Sequence, residues 1–598
     1  MSPFKRGAKK SIVNYKHAFK STFTVFKQTL FLSALGISCF FVFWPSTKIP
    51  ARATSSLQSL PPENIRTARK QTLIDREFSR ILEQKKALES FEVMAIIRNE
   101  VFYGLLRSLE SIPLRNLKKR REIYFPSVKR DLENLLDELM ARARSEGLSS
   151  KDLKIDELFW INKTLVFRAN KQGLRFLSEQ PEIKKLFTSK EAKEPKLQRE
   201  ESLPYGHEEP VVVEGKVLNW GLKKISLSSA VQAHQNLENE ILDGRGIKIG
   251  VIDSGIDAGH ESLKGKVEQF YDVRKKGVAQ PQDYSEHGTQ VSGVLVGGSD
   301  SKGLQTGVAP GSKLLMAGGF KNIKHVFLAL QFLLNPDNDF NTQDQPLIMN
   351  NSWDFRRRLK GPATGEEAIF RALESVVNAG VLPIFSAGNR GPRKSSLGVP
   401  ALFPQSLTVS AVDRRGKVPS FSSRGPAQYA GKSLRKPELT APGKELLTTG
   451  PRGGYTRVSG TSIAAPHVSA TAALLLQIEP TLTGAQIKSI LIESANDGRS
   501  SWNPSRGYGL LDPVKATFLA REYSEALMAA EFRNHDLIGP FSGVFDPWNY
   551  FTKSPRQIVF MAQLHRLRKG QWLHETKRFF KSKNSMYWIP ADQFWEKH

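Results

Sequence analysis

Cysteine is all but missing from this chain: among 598 residues, Cys39 is the only one. A single thiol excludes a disulfide framework and a cysteine-ligated zinc site. Stability must then come from packing, with oxygen-ligated ions as the other available source. Acidic residues are scarce as well. There are 59 of them against 87 lysines and arginines, a formal net charge of +28, and none precedes Glu63. Such an excess either draws the chain to anionic lipid, polymer or nucleic acid, or keeps its surface soluble. No nucleic-acid motif accompanies it, so surface charge is the preferred reading and no nucleic-acid partner is expected. Apolar residues make up 39% of the chain, a low share that implies long solvated segments beside a globular unit. The length still allows several domains and a large core.

One apolar run stands out, Thr29 to Trp44, behind the basic residues Lys5, Arg6, Lys9, Lys10, Lys16, Lys20 and Lys27. At about 1.5 Å per residue it spans roughly 24 Å, short for a spanning helix and suited to an export signal. Ala51-Arg52-Ala53 supplies a cleavage site. The alternative is an uncleaved anchor that keeps its N-terminus in the cytoplasm and contacts the membrane. A lipid-attachment reading of Cys39 is weaker, because apolar residues continue past it. Either way the rest of the chain is expected outside the cytoplasm, secreted or in the cell envelope.

Four short stretches carry chemistry: IGVIDSG around Asp253, SEHGTQVSG around His287, FSAGNRG around Asn389 and SGTSIAAPHVSA around Ser462. They supply a carboxylate, an imidazole, an amide donor and a hydroxyl. A serine hydroxyl is a poor nucleophile until a base removes its proton, the base needs an acid behind it, and the oxyanion that forms needs a donor. Taken singly each has a plainer reading. Ser462 could cap a helix, His287 could be a structural histidine in a turn, and Asp253 could be a capping carboxylate. The conjunction favours acyl transfer, and the order Asp, His, Ser separates the chain from α/β-hydrolases and from the chymotrypsin arrangement.

On these motifs, and on GVAPG (307–311), NNSW (350–353), SFSSRGP (420–426) and KPELTAPG (436–443), residues 247–520 resemble the subtilisin-like (subtilase) family of serine endopeptidases. The resemblance implies catalytic roles for Asp253, His287 and Ser462, an oxyanion-hole donor in Asn389, and a protein or peptide substrate. It implies an α/β fold, a subtilisin-like parallel sheet with helices on both faces, preceded by a small α+β prodomain. Apolar runs at Ile247–Ile252, Pro346–Met349, Val381–Phe385 and Leu407–Val412 read as its strands. Helical patterns follow at Val326–Leu334, Glu366–Asn378, Ser462–Gln477 and Gly484–Ala495.

Upstream, Phe91–Ile97 reads as a strand, Val128 to Ala143 as a helix, and Leu158–Phe167 as a strand or hairpin. Leu174, Leu177, Ile183 and Phe187 lie on or just after a second helix. FWINKTLVFRAN and LRFLSEQPEIKKLF resemble subtilase propeptides, which implies an intramolecular inhibitor; an unrelated α+β domain is the alternative. The expected organisation is a signal peptide or anchor (1–53), a polar linker (54–87), a propeptide-like domain (88–190) and a linker with a maturation site (191–211). A catalytic domain (212–522) and a basic, aromatic C-terminal extension (523–598) follow.

Three positions depart from the family. Ile463 replaces the usual methionine after the nucleophile, which implies slow inactivation by peroxide. SWDF (352–355) stands where an edge strand pairs with substrate, making Ser352, Trp353 and Asp354 candidate substrate-binding residues. A carboxylate at Asp354 would favour basic side chains, or it points to solvent. Ser262 replaces a calcium-binding aspartate, and Asp300 in GGSDSKG could still serve an oxygen-lined loop. No organic cofactor is expected, and calcium stays open because hard cations need about six oxygens. His260 and His467 are expected to be structural, as is Asp257. The reading from another class is a catalytically silent binding protein of the same fold; an esterase would use the same groups.

Overall fold

The computed structural model describes residues 73–74, 89–99, 117–188, 198–199, 211–213, 216–355, 365–495 and 501–531. The segments read as export signal and as basic aromatic extension lie outside the described residues, apart from the first turns of the latter. Among the described residues, the upstream sheet has five strands: β1 (Leu73–Ile74), β2 (Phe91–Ile97), β3 (Leu153–Phe159), β4 (Thr164–Ala169) and β5 (Ile183–Phe187), in the order β1-β5-β2-β4-β3. Helix α1 (Leu117–Ser145) buries Val128, Leu132, Leu135, Leu139 and Ala143, the helical spacing legible in the sequence. Helix α2 (Lys171–Glu179) begins where the Asn170 side chain accepts the Gln172 and Gly173 amides.

Ile183 and Phe187 lie just after the second helix, as one of the two alternatives had it, in a strand that pairs with β2. One expectation changes here. The segment 54–87 is not all linker, because Leu73 and Ile74 pair in parallel with Lys185 and Leu186.

The catalytic region builds an eight-stranded sheet from β6 (Lys248–Asp253), β7 (Val267–Asp272), β8 (Gly277–Val278), β9 (Lys313–Gly318), β10 (Ile348–Asn351), β11 (Leu382–Ser386), β12 (Leu407–Val412) and β13 (Leu439–Pro442). Their order is β8-β7-β9-β6-β10-β11-β12-β13. Only β8 runs antiparallel to its neighbour. Alternate side chains serve two cores, as a period of two requires. Ile249, Val251, Leu314 and Met316 enter one core with helices α3 (His287–Val296) and α6 (Thr461–Ile478). Ile252, Leu315 and Ala317 enter the other with α4 (Ile323–Leu334) and α5 (Glu366–Asn378). Helix α6 packs across β6 and β10 to β13 and against α3. It is apolar and long enough to cross a membrane, yet it is a buried core helix.

The second core continues into the upstream region. Phe159 meets Phe327 edge-on at 5.4 Å, and Lys324 pairs with Glu92 at 2.7 Å. Arg371 donates to the Ile97 carbonyl at 2.7 Å, and the Ser375 hydroxyl donates to the Ile161 carbonyl at 2.6 Å. The upstream sheet therefore sits on α4 and α5. All of Val93 to Ile97 is buried, because β2 is covered on both sides. Before α6, the hairpin of β14 (Leu446–Thr449) and β15 (Tyr455–Ser459) takes a third strand from the linker, with Arg199 opposite Val458 and Gln198 opposite Ser459. Downstream, α7 (Gly484–Ser494) and α8 (Pro513–Glu531) pack together, and α8 runs past the expected domain boundary at residue 522.

Candidate active site

The strand order places the sequence motifs at one edge of the sheet. Asp253 is the last residue of β6, Ser352 follows β10 directly, and Asn389 lies in the turn after β11. These are carboxyl ends of adjacent parallel strands, where open α/β sheets gather their functional groups.

Asp253 and His287 meet in the interior, at 1% and 5% exposure. His287 Nδ1 stands 2.5 Å from Asp253 Oδ1, which also accepts the Ser254 amide at 2.7 Å. The approach of the two segments depends on glycine. A Cβ on Gly288 would lie 1.9 Å from the Gly255 carbonyl oxygen, and Gly255 itself has φ +129°. Glu286, just before His287, is held at φ +65°, a left-handed conformation that costs about 1 kcal/mol or more for a residue with a Cβ.

Asp283 over-determines that turn. It accepts the Glu286 amide at 3.1 Å, the Thr289 amide at 2.8 Å and the Ser254 hydroxyl at 2.6 Å. Ser254 in turn accepts the Gly288 amide at 2.8 Å. Asp283 escaped the sequence reading, although a carboxylate four residues before a histidine at a helix start was the available signal.

Ser462 lies in the first turn of α6 and is fully buried. Its hydroxyl donates to the Ser352 carbonyl at 3.2 Å, and the Ser352 hydroxyl donates to the Ser462 carbonyl at 2.8 Å. The Ser352 hydroxyl also accepts from Asn350 at 3.1 Å, and Asn350 accepts from Ser469, one face further along α6. Strand β10 is thus stitched to the serine's helix. Asn389 Oδ1 accepts both the Thr461 amide and the Thr461 hydroxyl at 2.9 Å. A backbone N–H can only donate, so these bonds fix the amide's orientation and turn Nδ2 away from Thr461.

The other expected residues divide. Trp353 is 1% exposed and packs edge-on against Phe355 and Phe385, so its side chain belongs to the core. Asp354 points neither to solvent nor openly to a substrate; it is enclosed and lies 2.5 Å from Arg390 Nη2. Arg390 is a second residue the sequence reading passed over. His467 is buried, with Nδ1 on the Ile463 carbonyl at 2.9 Å, and burial pushes its pKa down to about 4. His260 accepts the Ser262 amide and meets the Gly454 carbonyl at 2.9 Å, a structural role. Asp257 accepts the Gly259 amide.

Asp300 Oδ1 accepts the Lys302 and Leu304 amides, and Oδ2 accepts the Tyr455 hydroxyl at 2.9 Å. Ser262 bonds to the same hydroxyl at 2.7 Å, and Glu261 takes the Ser301 amide. These oxygens already have protein donors. Among the described residues no three acidic, histidine or cysteine side chains cluster as metal ligands.

A buried acid–imidazole pair whose histidine opens a helix packed on the serine's own helix, at the carboxyl edge of a parallel sheet, is an arrangement of the serine-hydrolase type. A family model, "Subtilase family", matches residues 244–509. Subtilisin of Bacillus pumilus is 32% identical over 278 residues, covering 45% of this chain and 91% of the relative. Serine protease AprX of Bacillus subtilis (strain 168) is 30% identical over 311 residues, covering 47% and 68%. Bacillopeptidase F of the same organism is 28% identical over 381 residues, covering 56% of this chain but only 26% of that relative. The chain belongs to the subtilase family of serine endopeptidases.

Proposed function

We propose that this chain is an exported zymogen that hydrolyses protein or peptide substrates through Asp253, His287 and Ser462. The observation that carries this reading is the buried 2.5 Å pair between His287 and Asp253. A carboxylate can only accept, so the pair keeps the proton on Nδ1 and leaves Nε2 as the base. Rotation of the Ser462 hydroxyl away from the Ser352 carbonyl lets it pass its proton to Nε2 as Oγ attacks the substrate carbonyl. The oxyanion is then held by Asn389 Nδ2 and the backbone N–H groups at the start of α6. His287 gives its proton to the leaving amine, and the acyl-enzyme on Ser462 is hydrolysed by water. The main chain at Trp353 and Asp354 takes up the substrate backbone, since both side chains turn inward.

Residues 88–190 act as the inhibitory prodomain. Support comes from the sheet seated on α4 and α5 and from the linker strand Gln198–Arg199, whose partner Ser459 precedes Ser462 by three residues. That placement supports linker cleavage by the chain's own site. The basic N-terminus and its apolar run support export to the cell envelope or medium.

The test is turnover of a peptide library by the purified full chain beside Ser462→Ala and His287→Ala. Both variants are expected to lose hydrolysis and to retain the uncut linker. Hydrolysis that survives Ser462→Ala contradicts the reading and would leave a binding protein of the same fold with a contaminating activity.

A further inference from the structure

The stretches of chain that carry Asp253, His287 and Ser462 are tied together a second time, at one phenol. Tyr455 opens β15, the strand that leads through Gly460 into α6 and Ser462. Ser262 lies in a short helical turn that follows β6 and Asp253. Asp300 sits in the loop after α3, the helix that His287 opens. Tyr455 Oη is 2.7 Å from Ser262 Oγ and 2.9 Å from Asp300 Oδ2. A carboxylate can only accept, so the phenol proton goes to Asp300 and the Ser262 hydroxyl donates to the phenol oxygen. Burial, with the Asp300 charge adding to it, pushes the phenol pKa up, and the donor keeps its proton. The ring is held from the side by His260, which meets it edge-on at 5.2 Å and reaches the Gly454 carbonyl at 2.9 Å.

The neighbouring oxygens are taken up in the same way. Glu261 accepts the Ser301 amide at 2.6 Å and its hydroxyl at 3.3 Å, and the Ser262 carbonyl accepts the Gly298 amide at 2.9 Å. Calcium needs about six to eight oxygens turned toward it. Here they are turned toward N–H and O–H donors, and Ser262 brings no charge.

We propose that Tyr455 is a positioning residue whose hydroxyl clasps Ser262 to Asp300, and that this clasp does without a metal the joining that the family resemblance assigns to calcium. The clasp fixes where β15 enters α6, and with it where Ser462 stands relative to the helix of His287. That last consequence rests on Ser462 as nucleophile and His287 as its base; the clasp itself does not.

The test is Tyr455→Phe, which keeps the ring against His260 and removes only the hydroxyl. The full chain on a Ser462→Ala background, which prevents self-digestion, is melted in millimolar calcium and in excess chelator. Tyr455→Phe is expected to lower the melting temperature by about 3–6 °C, the scale of one hydrogen bond to a charged group, and by the same amount in both buffers. An unchanged melting temperature overturns the clasp. Asp300→Asn is melted beside it. A calcium response equal in parent and Asp300→Asn, or absent from both, supports a metal-free clasp; a response that the parent shows and Asp300→Asn loses overturns it. In the active chain, well below melting, Tyr455→Phe is expected to lower kcat on a peptide by about threefold to tenfold with KM unchanged. A lower melting temperature with kcat unchanged overturns the positioning role. A parent chain that cleaves no peptide and takes no fluorophosphonate on Ser462 overturns the nucleophile assignment and the positioning role with it, while the melts still decide the clasp.

Discussion

Two buried histidines, on two helices that pack together, have neighbourhoods that are alike in burial and opposite in chemistry. His287 opens α3, which packs on α6; His467 lies on α6 itself, five residues beyond Ser462. Their exposures are 5% and 0%. The partners separate them. His287 Nδ1 faces a buried carboxylate at 2.5 Å, whereas His467 Nδ1 faces the Ile463 carbonyl at 2.9 Å. The far side of the His467 ring faces Gly221, where an added Cβ would lie 3.0 Å from Nε2. A carboxylate stabilises an imidazolium, and a carbonyl among apolar groups does so far less. A general base must become a cation during the reaction, and only the His287 neighbourhood provides for one.

The largest expected effect breaks the comparison directly. His287→Ala should lower kcat/KM on a peptide substrate by at least about 10^4-fold, the scale of losing one member of such a triad. His467→Gln should change it less than about threefold, because that ring touches no reacting group. A large kinetic loss from His467→Gln alone would erase the distinction. Next, Asn389→Ala should lower kcat by about 100- to 1000-fold with little change in KM, the cost established for the corresponding donor in subtilisin. A proportionate rise in KM instead would assign Asn389 to ground-state binding.

The histidines also differ in what acid does to the fold. Burial lowers the His467 pKa from 6.5 to about 4, so the folded chain binds its proton later than the unfolded chain does. Stability is unaffected above pH 6.5 and falls as the pH drops toward 4, by about 3 kcal/mol in all. Denaturant melts at pH 7 and pH 4.5, on a Ser462→Ala background that prevents self-digestion, should show the drop. His467→Gln should flatten the part of it due to this ring; an unchanged slope would contradict the assignment.

The smallest expected effect sharpens how His287 is held. Asp283→Ala removes the acceptor for the Glu286 and Thr289 amides and the Ser254 hydroxyl, at a cost of about 1–3 kcal/mol in stability. Activity should fall by about tenfold, through kcat more than KM, and Asp283→Glu should recover part of it.

Much of this was legible in the sequence for a physical reason. Parallel strands buried on both faces must be apolar along their length, so β6, β10, β11 and β12 stand out within a residue or two of their observed ends. β5 did not, because Lys184 and Lys185 interrupt it; Lys184 is spent on Glu367 across the interface at 2.6 Å. Motif spacing brought Asp253, His287, Asn389 and Ser462 to one edge, but side-chain pairings between distant segments leave no local pattern. Asp283 with Ser254, Asp354 with Arg390 and Asp300 with Tyr455 are of that kind. For the same reason Trp353 and Asp354 read as substrate-binding residues when both side chains turn inward.

The most direct measurement is covalent labelling of the purified full chain with a fluorophosphonate, followed by mass mapping of the adduct. The expected result is one adduct, on Ser462, lost in Ser462→Ala and His287→Ala and retained in His467→Gln. An adduct on any other residue, or undiminished labelling in His287→Ala, would contradict the assignment of Ser462 and its base.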